Sequence, residues 1–314
     1  MTRASVSIIE AIDAQTDSQL QADSHFSAAG HKWSACQKDA LILALASRRP
    51  LLIRGEAGSG KSQIARAAAH VLGSGTPLME VIHPRFEALD LLWRLDAVER
   101  LADAQLHRLD KTNKKYVKRG RLWDAIELAN QGGPLPVLLI DEIDKADSDV
   151  PNALLDVLGN RSFSVPPLGH RTVRCTGQLP LIIITTNEER ELPAAFVRRC
   201  AVLNLNPPTD DHSLLTWLIE RGKAHQHLLV ENNIRKLAAE QVLSDRNAAI
   251  ATGHAKVGLA EYIDLLEALH DLTCHLAEPA RNQQQIYWLE RLSAYALIKG
   301  ADQSQQRPAV KRTA

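Results

Sequence analysis

The chain is poor in cysteine and has no excess charge of either sign. Its four cysteines, Cys36, Cys175, Cys200 and Cys274, lie far apart with no C-x-x-C pair. That spacing argues against a disulfide framework or a zinc site and leaves reduced, buried thiols as the expectation. Lys plus Arg number 37 and Asp plus Glu number 37, so the chain as a whole is not a polycation that coats nucleic acid; any such signal must be local. No stretch approaches the roughly 18 apolar residues of a membrane span, and Met1 to Gln15 holds no apolar run of signal-peptide length. A cytoplasmic location is therefore expected. What is present, 45% hydrophobic and 24% charged residues over 314 positions, suits a globular core domain plus a smaller one.

The strongest local signal is Gly55-Glu56-Ala57-Gly58-Ser59-Gly60-Lys61-Ser62, a complete G-x-x-x-x-G-K-S loop. The apolar run Leu51-Leu52-Ile53 precedes it as a strand, and Ile64 to Leu72 follows as a helix with no breaker before Gly73. Strand, glycine loop and helix N-terminus in that order make an anion cradle in which backbone N–H groups point at phosphates. Lys61 would reach the β- and γ-phosphates, and the Ser62 hydroxyl would ligate Mg²⁺.

Apolar runs recur at Val137–Ile140, Leu181–Ile184 and Ala201–Leu205, a further strand is expected at Leu78–Ile82, and helical patterns such as His31–Ser47 and Pro151–Leu158 separate them. Short apolar runs buried on both faces, alternating with helices, predict a doubly wound α/β domain with a parallel sheet. After Asn206-Pro207-Pro208 the pattern turns helical, with Thr209 as N-cap and Asp210 and Asp211 in the first turn. The organisation expected is an N-terminal extension over 1–30 of strand or turn with partial disorder, an α/β domain over 31–208, a helical domain over 209–299 and a disordered tail over 300–314.

Asp141-Glu142 closes the run Val137–Ile140. In an open parallel sheet the ligand lies beyond the carboxyl ends of the strands, so Asp141 would hold Mg²⁺ and Glu142 would polarise the attacking water as general base. Thr185-Thr186-Asn187 ends another strand, and Asn187 is placed to orient water near the γ-phosphate. Arg198 and Arg199 end a short helix just before the last strand. An arginine supplied by a neighbour would stabilise charge on the transferring oxygens, although two basic residues at a helix C-terminus also suit the helix dipole.

In this order and spacing, Gly55–Ser62, Leu138–Asp144, Ile183–Asn187 and Leu192–Cys200 resemble the AAA+ ATPases. They look in particular like the MoxR-like group related to the dynein and McrB motor modules, whose D-E-I-[ND]-[RK]-A segment is similar to Asp141–Ala146. The resemblance implies a five-stranded parallel sheet in the order 5-1-4-3-2, a C-terminal helical lid, ATP and Mg²⁺ bound at subunit interfaces, and a homo-oligomeric ring, usually a hexamer. By the same resemblance Asn187 is the sensor-1 residue, Arg199 the better candidate for the arginine finger, and Lys256 the candidate sensor-2 residue, departing from the usual arginine. Two inserts of the group have counterparts at 84–124 and 159–176, the latter with Phe163 and Val165 alternating with Ser162 and Ser164. The first contains Lys111, Lys114, Lys115, Lys118, Arg119 and Arg121 with no acid between them.

The function expected is ATP hydrolysis coupled to remodelling or activating a protein partner. The resemblance suggests a partner with a von Willebrand factor A-type domain. Two rivals remain at this stage. One is a nucleic-acid motor of the McrB type that uses the basic run Lys111–Arg121; the other is a slow nucleotide-dependent scaffold.

Overall fold

The computed structural model describes residues 3–23 and 26–296. The chain divides into two compact units between Asn206 and Pro207. In the first, five strands form one parallel sheet: β1 (Leu51–Arg54), β2 (Leu78–Val81), β3 (Val137–Asp141), β4 (Leu181–Thr186) and β5 (Ala201–Asn204). Their order is 5-1-4-3-2. Successive side chains of a strand point to opposite faces, and the core divides accordingly. Leu52, Leu138, Ile140, Ile182 and Ile184 enter one hydrophobic cluster with Trp123 and Phe196. Leu51, Ile53, Val137, Leu139, Leu181 and Ile183 enter another, with Ile64, Ala65 and Ala68 of the helix Lys61–Val71. A strand buried on both faces explains why these runs are apolar without alternation.

The N-terminal segment holds a short strand, as expected, and also a helix that the sequence pattern does not predict. Residues Arg3–Asp13 form a helix that buries Ile12 completely, and Asp17–Leu20 pairs antiparallel with Ala29–Lys32. Ile8 and Ile12, one helical turn apart, supply an apolar stripe just wide enough to dock this segment on the core. The hairpin is tied to the helix Lys61–Val71 by Arg66, whose buried guanidinium donates to Gln21 O at 3.3 Å and Ser27 O at 2.9 Å and lies over the Phe26 ring. The next helix starts at Ala35 rather than His31, because His31 is in that hairpin and Ser34 caps the helix. Cys175 and Cys200 are buried, but Cys36 and Cys274 are exposed rather than buried as expected.

Both inserts form antiparallel pairs. Trp93–Leu95 pairs with Val117–Arg119 around a helix Ala97–Gln105, and Ser162–Val165 pairs with Arg171–Arg174. The second unit consists, among the described residues, of the helices Asp211–Ala224, Asn232–Thr252, Leu259–Thr273 and Ala280–Ala296. They enclose a core that includes Leu218, Ile234, Val242, Tyr262 and Leu266. The first helix is capped by Asp210, one residue later than expected, because its carboxylate accepts the Ser213 N–H at 2.8 Å. The expected tail 300–314 lies outside the described residues. No described helix is long and apolar enough to cross a membrane.

Candidate active site

β1 delivers the chain at the carboxyl edge of the sheet into the loop 55–62. A side chain at Gly55 would meet the carbonyl of Leu205 at 2.4 Å, so the close approach of the chain after β5 excludes any larger residue there. Gly58 and Gly60 take φ of 73° and 87°, a left-handed conformation that costs glycine little. Gly60 offers no side-chain cap to the helix Lys61–Val71, so the first-turn N–H groups keep the donor capacity that suits an anion. Ser59 Oγ is buried in the same loop with no hydrogen-bond partner among the described residues.

Lys61 is only 6% exposed. Its Nζ donates to Gly55 O and Glu56 O, each at 2.8 Å, and to Asn187 Oδ1 at 2.7 Å. Burial holds its pKa below the usual lysine range, against the pull of Asp141, Asp144, Glu142 and Glu188.

β3 and β4 run side by side, with Leu139 opposite Ile183 and Ile140 opposite Ile184. That register brings the ends of both strands to the loop. Asp141 accepts from Ser62 Oγ through both carboxylate oxygens at 3.1 Å and also from the hydroxyl of Thr185. Thr185 Oγ1 in turn accepts the Glu142 N–H at 3.0 Å. Glu142 sits in a left-handed conformation, φ 60°, which turns the chain sharply at the end of β3. Its Oε1 accepts from Asn187 Nδ2 at 3.3 Å, and its Oε2 lies 2.5 Å from Lys145 Nζ. The Glu142 carboxylate holds the Lys145 ammonium above the usual lysine range. Asp144, 2% exposed, accepts the N–H groups of Asn187 at 3.2 Å and Glu189 at 2.9 Å.

Hydrogen bonds thus join Lys61, Ser62, Asp141, Glu142 and Asn187. They do not reach Arg198 or Arg199. Both arginines are exposed after the helix Ala194–Val197, and neither side chain makes a hydrogen bond or ion pair among the described residues. Arg198, with Arg54, Thr186 and Glu188, lines a cavity of about 520 Å³. Next to them Cys200 is buried, which pushes its thiol up to about 12. Lys256 belongs to the helical unit, where it is exposed just before the helix Leu259–Thr273. Three further residues escaped the sequence reading: Thr185, Asp144 and Lys145. A threonine buried at the end of an all-apolar strand needs a polar partner, and that was the signal for the first.

The basic run is not bare. Lys115 lies 2.5 Å from Asp103 and 3.2 Å from Glu99, and Lys118 lies 3.3 Å from Glu99. Asp103 and Glu99 hold the Lys115 ammonium above the usual lysine range. Arg119 stacks over Trp123, and Arg121 pairs with Asp124 at 3.8 Å. Only Lys111 and Lys114 of the six make no such contact among the described residues.

Residues 50–200 match the model of the AAA domain, dynein-related subfamily. Among curated proteins, the chain is 36% identical over 110 residues to chaperone protein ClpB 1 of a Nostoc species, a match covering 34% of this chain and 11% of that protein. Among solved structures, a mutant of Thermotoga maritima RuvB aligns at 14% identity over 82% of this chain and 72% of that one, with a TM-score of 0.41. With the loop, the acid pair and the 5-1-4-3-2 sheet in place, the match identifies residues 50–200 as an AAA domain of the dynein-related subfamily.

Proposed function

We propose that this protein hydrolyses ATP at the interfaces of a homo-oligomeric ring and uses the cycle to remodel or activate a protein partner, in the manner of the MoxR-like group. The observation that carries the reading is the hydrogen-bonded series from the loop carbonyls through Lys61 and Asn187 to Glu142. A series of this kind makes the position of the candidate base depend on the group that receives the phosphates.

The residues fit the ligands. The unpartnered Ser59 hydroxyl and the open first turn of the helix Lys61–Val71 are donors without enough acceptors of their own, the chemistry a polyphosphate supplies, and the buried Lys61 adds a positive charge beside them. Ser62 and Asp141 present oxygen donors at one point, which suits a hard divalent cation. Mg²⁺, when bound, would neutralise charge on the phosphate oxygens. Thr185 fixes the Asp141 carboxylate, Asn187 orients water, and Glu142 accepts its proton. Arg198 and Arg199, exposed and with unpaired side chains, are free to reach the site of an adjoining subunit and stabilise the transferring group; Lys256 is the proposed sensor-2 residue.

A protein substrate is supported by the chaperone among the relatives, and a von Willebrand factor A-type protein is the partner class the MoxR-like resemblance suggests. A DNA or RNA motor loses support, because half of the basic run, Lys115, Lys118 and Arg121, is paired with nearby acids. Purified protein should release phosphate from ATP in a Mg²⁺-dependent manner, and Lys61→Ala or Glu142→Gln should abolish release. Full activity in either variant would overturn the site assignment. Pull-down with the Glu142→Gln protein, held in the ATP state, identifies the partner.

A further inference from the structure

The Glu142 carboxylate is engaged at both oxygens, by Asn187 Nδ2 at 3.3 Å and by Lys145 Nζ at 2.5 Å. The lysine is local. Lys145 ends the 3₁₀ turn Ile143–Lys145 that follows Glu142 directly, so the ion pair spans three residues and closes on itself. Two features give the turn a fixed geometry. Glu142 enters it through a left-handed backbone held by the Thr185 hydroxyl, and Asp144, buried at its centre, is anchored by the N–H groups of Asn187 and Glu189. The ammonium is thereby presented to Glu142 Oε2 by a rigid support.

A carboxylate that is to take a proton from water has to turn a lone pair toward that water. In the observed arrangement one oxygen faces an ammonium, which has no acceptor capacity and cannot relay the proton onward. Asn187 is already shared with Lys61, so its hold on Glu142 is coupled to the phosphate loop. The hold of Lys145 has no such connection. Lys145 is outside the set joined to the loop, touches neither Ser62 nor Asp141 among the described contacts, and has its Nζ bonded to Glu142 alone.

We propose that Lys145 is a positioning residue that acts as a latch: it ties one oxygen of the Glu142 carboxylate to its ammonium, and hydrolysis requires the Lys145–Glu142 ion pair to open. This rests on Glu142 being the general base. Both side chains are about one-third exposed, and an ion pair of that kind restrains an equilibrium by about two- to fivefold.

The test is steady-state ATPase kinetics on the full chain. Lys145→Met keeps the length of the side chain and removes the charge. It should raise kcat by about two- to fivefold with KM for ATP unchanged, and Lys145→Arg, which keeps the ion pair, should stay at the wild-type rate. Adding Glu142→Gln to Lys145→Met should abolish the gain, because the gain is routed through that carboxylate. An unchanged or lowered kcat in a folded Lys145→Met protein, checked by its thermal melting, would overturn the latch. A gain that survives in the double variant would overturn it as well. A wild-type protein without ATPase activity, or a Glu142→Gln protein with full activity, would instead sink the hydrolytic reading on which the latch rests.

Discussion

The run Lys111–Arg121 and the pair Arg198–Arg199 are both basic, and they differ in what surrounds them. In the first, Glu99 and Asp103 reach across from the helix Ala97–Gln105 to Lys115 and Lys118, and Asp124 reaches Arg121. In the second, two guanidinium groups stand exposed with no ion-pair or hydrogen-bond partner among the described residues. A count of basic residues along the sequence favours the run six to two. The structure reverses the ranking, because an attractive field for an anion depends on unpaired charge rather than on composition. The pair is the better candidate for meeting a phosphate, and the run is the better candidate for a rigid, self-neutralised insert.

The largest expected effect tests the pair. Replacing Arg198 and Arg199 together by alanine should lower kcat by about a thousandfold while changing stability by less than about 0.5 kcal/mol, as for any surface substitution without partners. ATPase assays and chemical denaturation of the same preparation check both halves. A large loss of stability would show that the arginines hold the fold, and the contrast with the run would collapse.

A second effect sharpens what it means for a charged group to be engaged. Thr185→Val deletes the hydroxyl that Asp141 and the Glu142 N–H share, at nearly constant volume. Outer partners of this kind are worth about tenfold or more in metal affinity, so the Mg²⁺ concentration for half-maximal ATPase activity should rise about tenfold. An unchanged Mg²⁺ dependence would mean that Thr185 is packing only.

Much of this site was legible in the sequence because its parts are contiguous. Gly55 to Ser62 is one unbroken loop, and Asp141 and Glu142 follow an apolar run whose end had to lie at the carboxyl edge of the sheet. The sheet order followed from the family resemblance. Thr185, Asp144 and Lys145 were not legible as functional positions because their roles depend on which side chains face them. Thr185 meets Asp141 only through the register of β3 against β4. The neutralisation of Lys115 and Lys118 was missed for the same reason: their acids are 12 to 19 residues upstream, across a hairpin that no local window contains. The N-terminal helix was missed because its apolar stripe is short, Ile8 and Ile12 carrying most of it.

Lys61 supplies the third prediction. Burial lowers its pKa below the ordinary 10.5, and only the protonated form attracts phosphate. Affinity for ATP should therefore fall as the pH rises through the depressed value, at a lower pH than an ordinary lysine would give. Binding titrations from neutral to alkaline pH measure the midpoint; loss of affinity only above the normal lysine range would contradict the burial argument.

The smallest effect concerns the run. With Lys111, Lys114 and Arg119 lacking an acid partner, DNA binding should be weak, with a slope of log affinity against log salt no steeper than about −2.7, as expected for three phosphates neutralised. A slope several times steeper would restore the run as a nucleic-acid surface and revive the motor reading.

The account turns on whether Arg198 and Arg199 complete the site of an adjoining subunit, and subunit mixing tests that most directly. One variant carries Glu142→Gln and keeps its arginines; the other carries Arg198→Ala and Arg199→Ala and keeps Glu142. Each alone should be inactive, and mixing them in equal amounts should restore ATPase activity that rises with total protein concentration, because an intact base then meets intact arginines across an interface. Mixtures that stay inactive while the subunits co-assemble, or an arginine variant that is fully active alone, would contradict it.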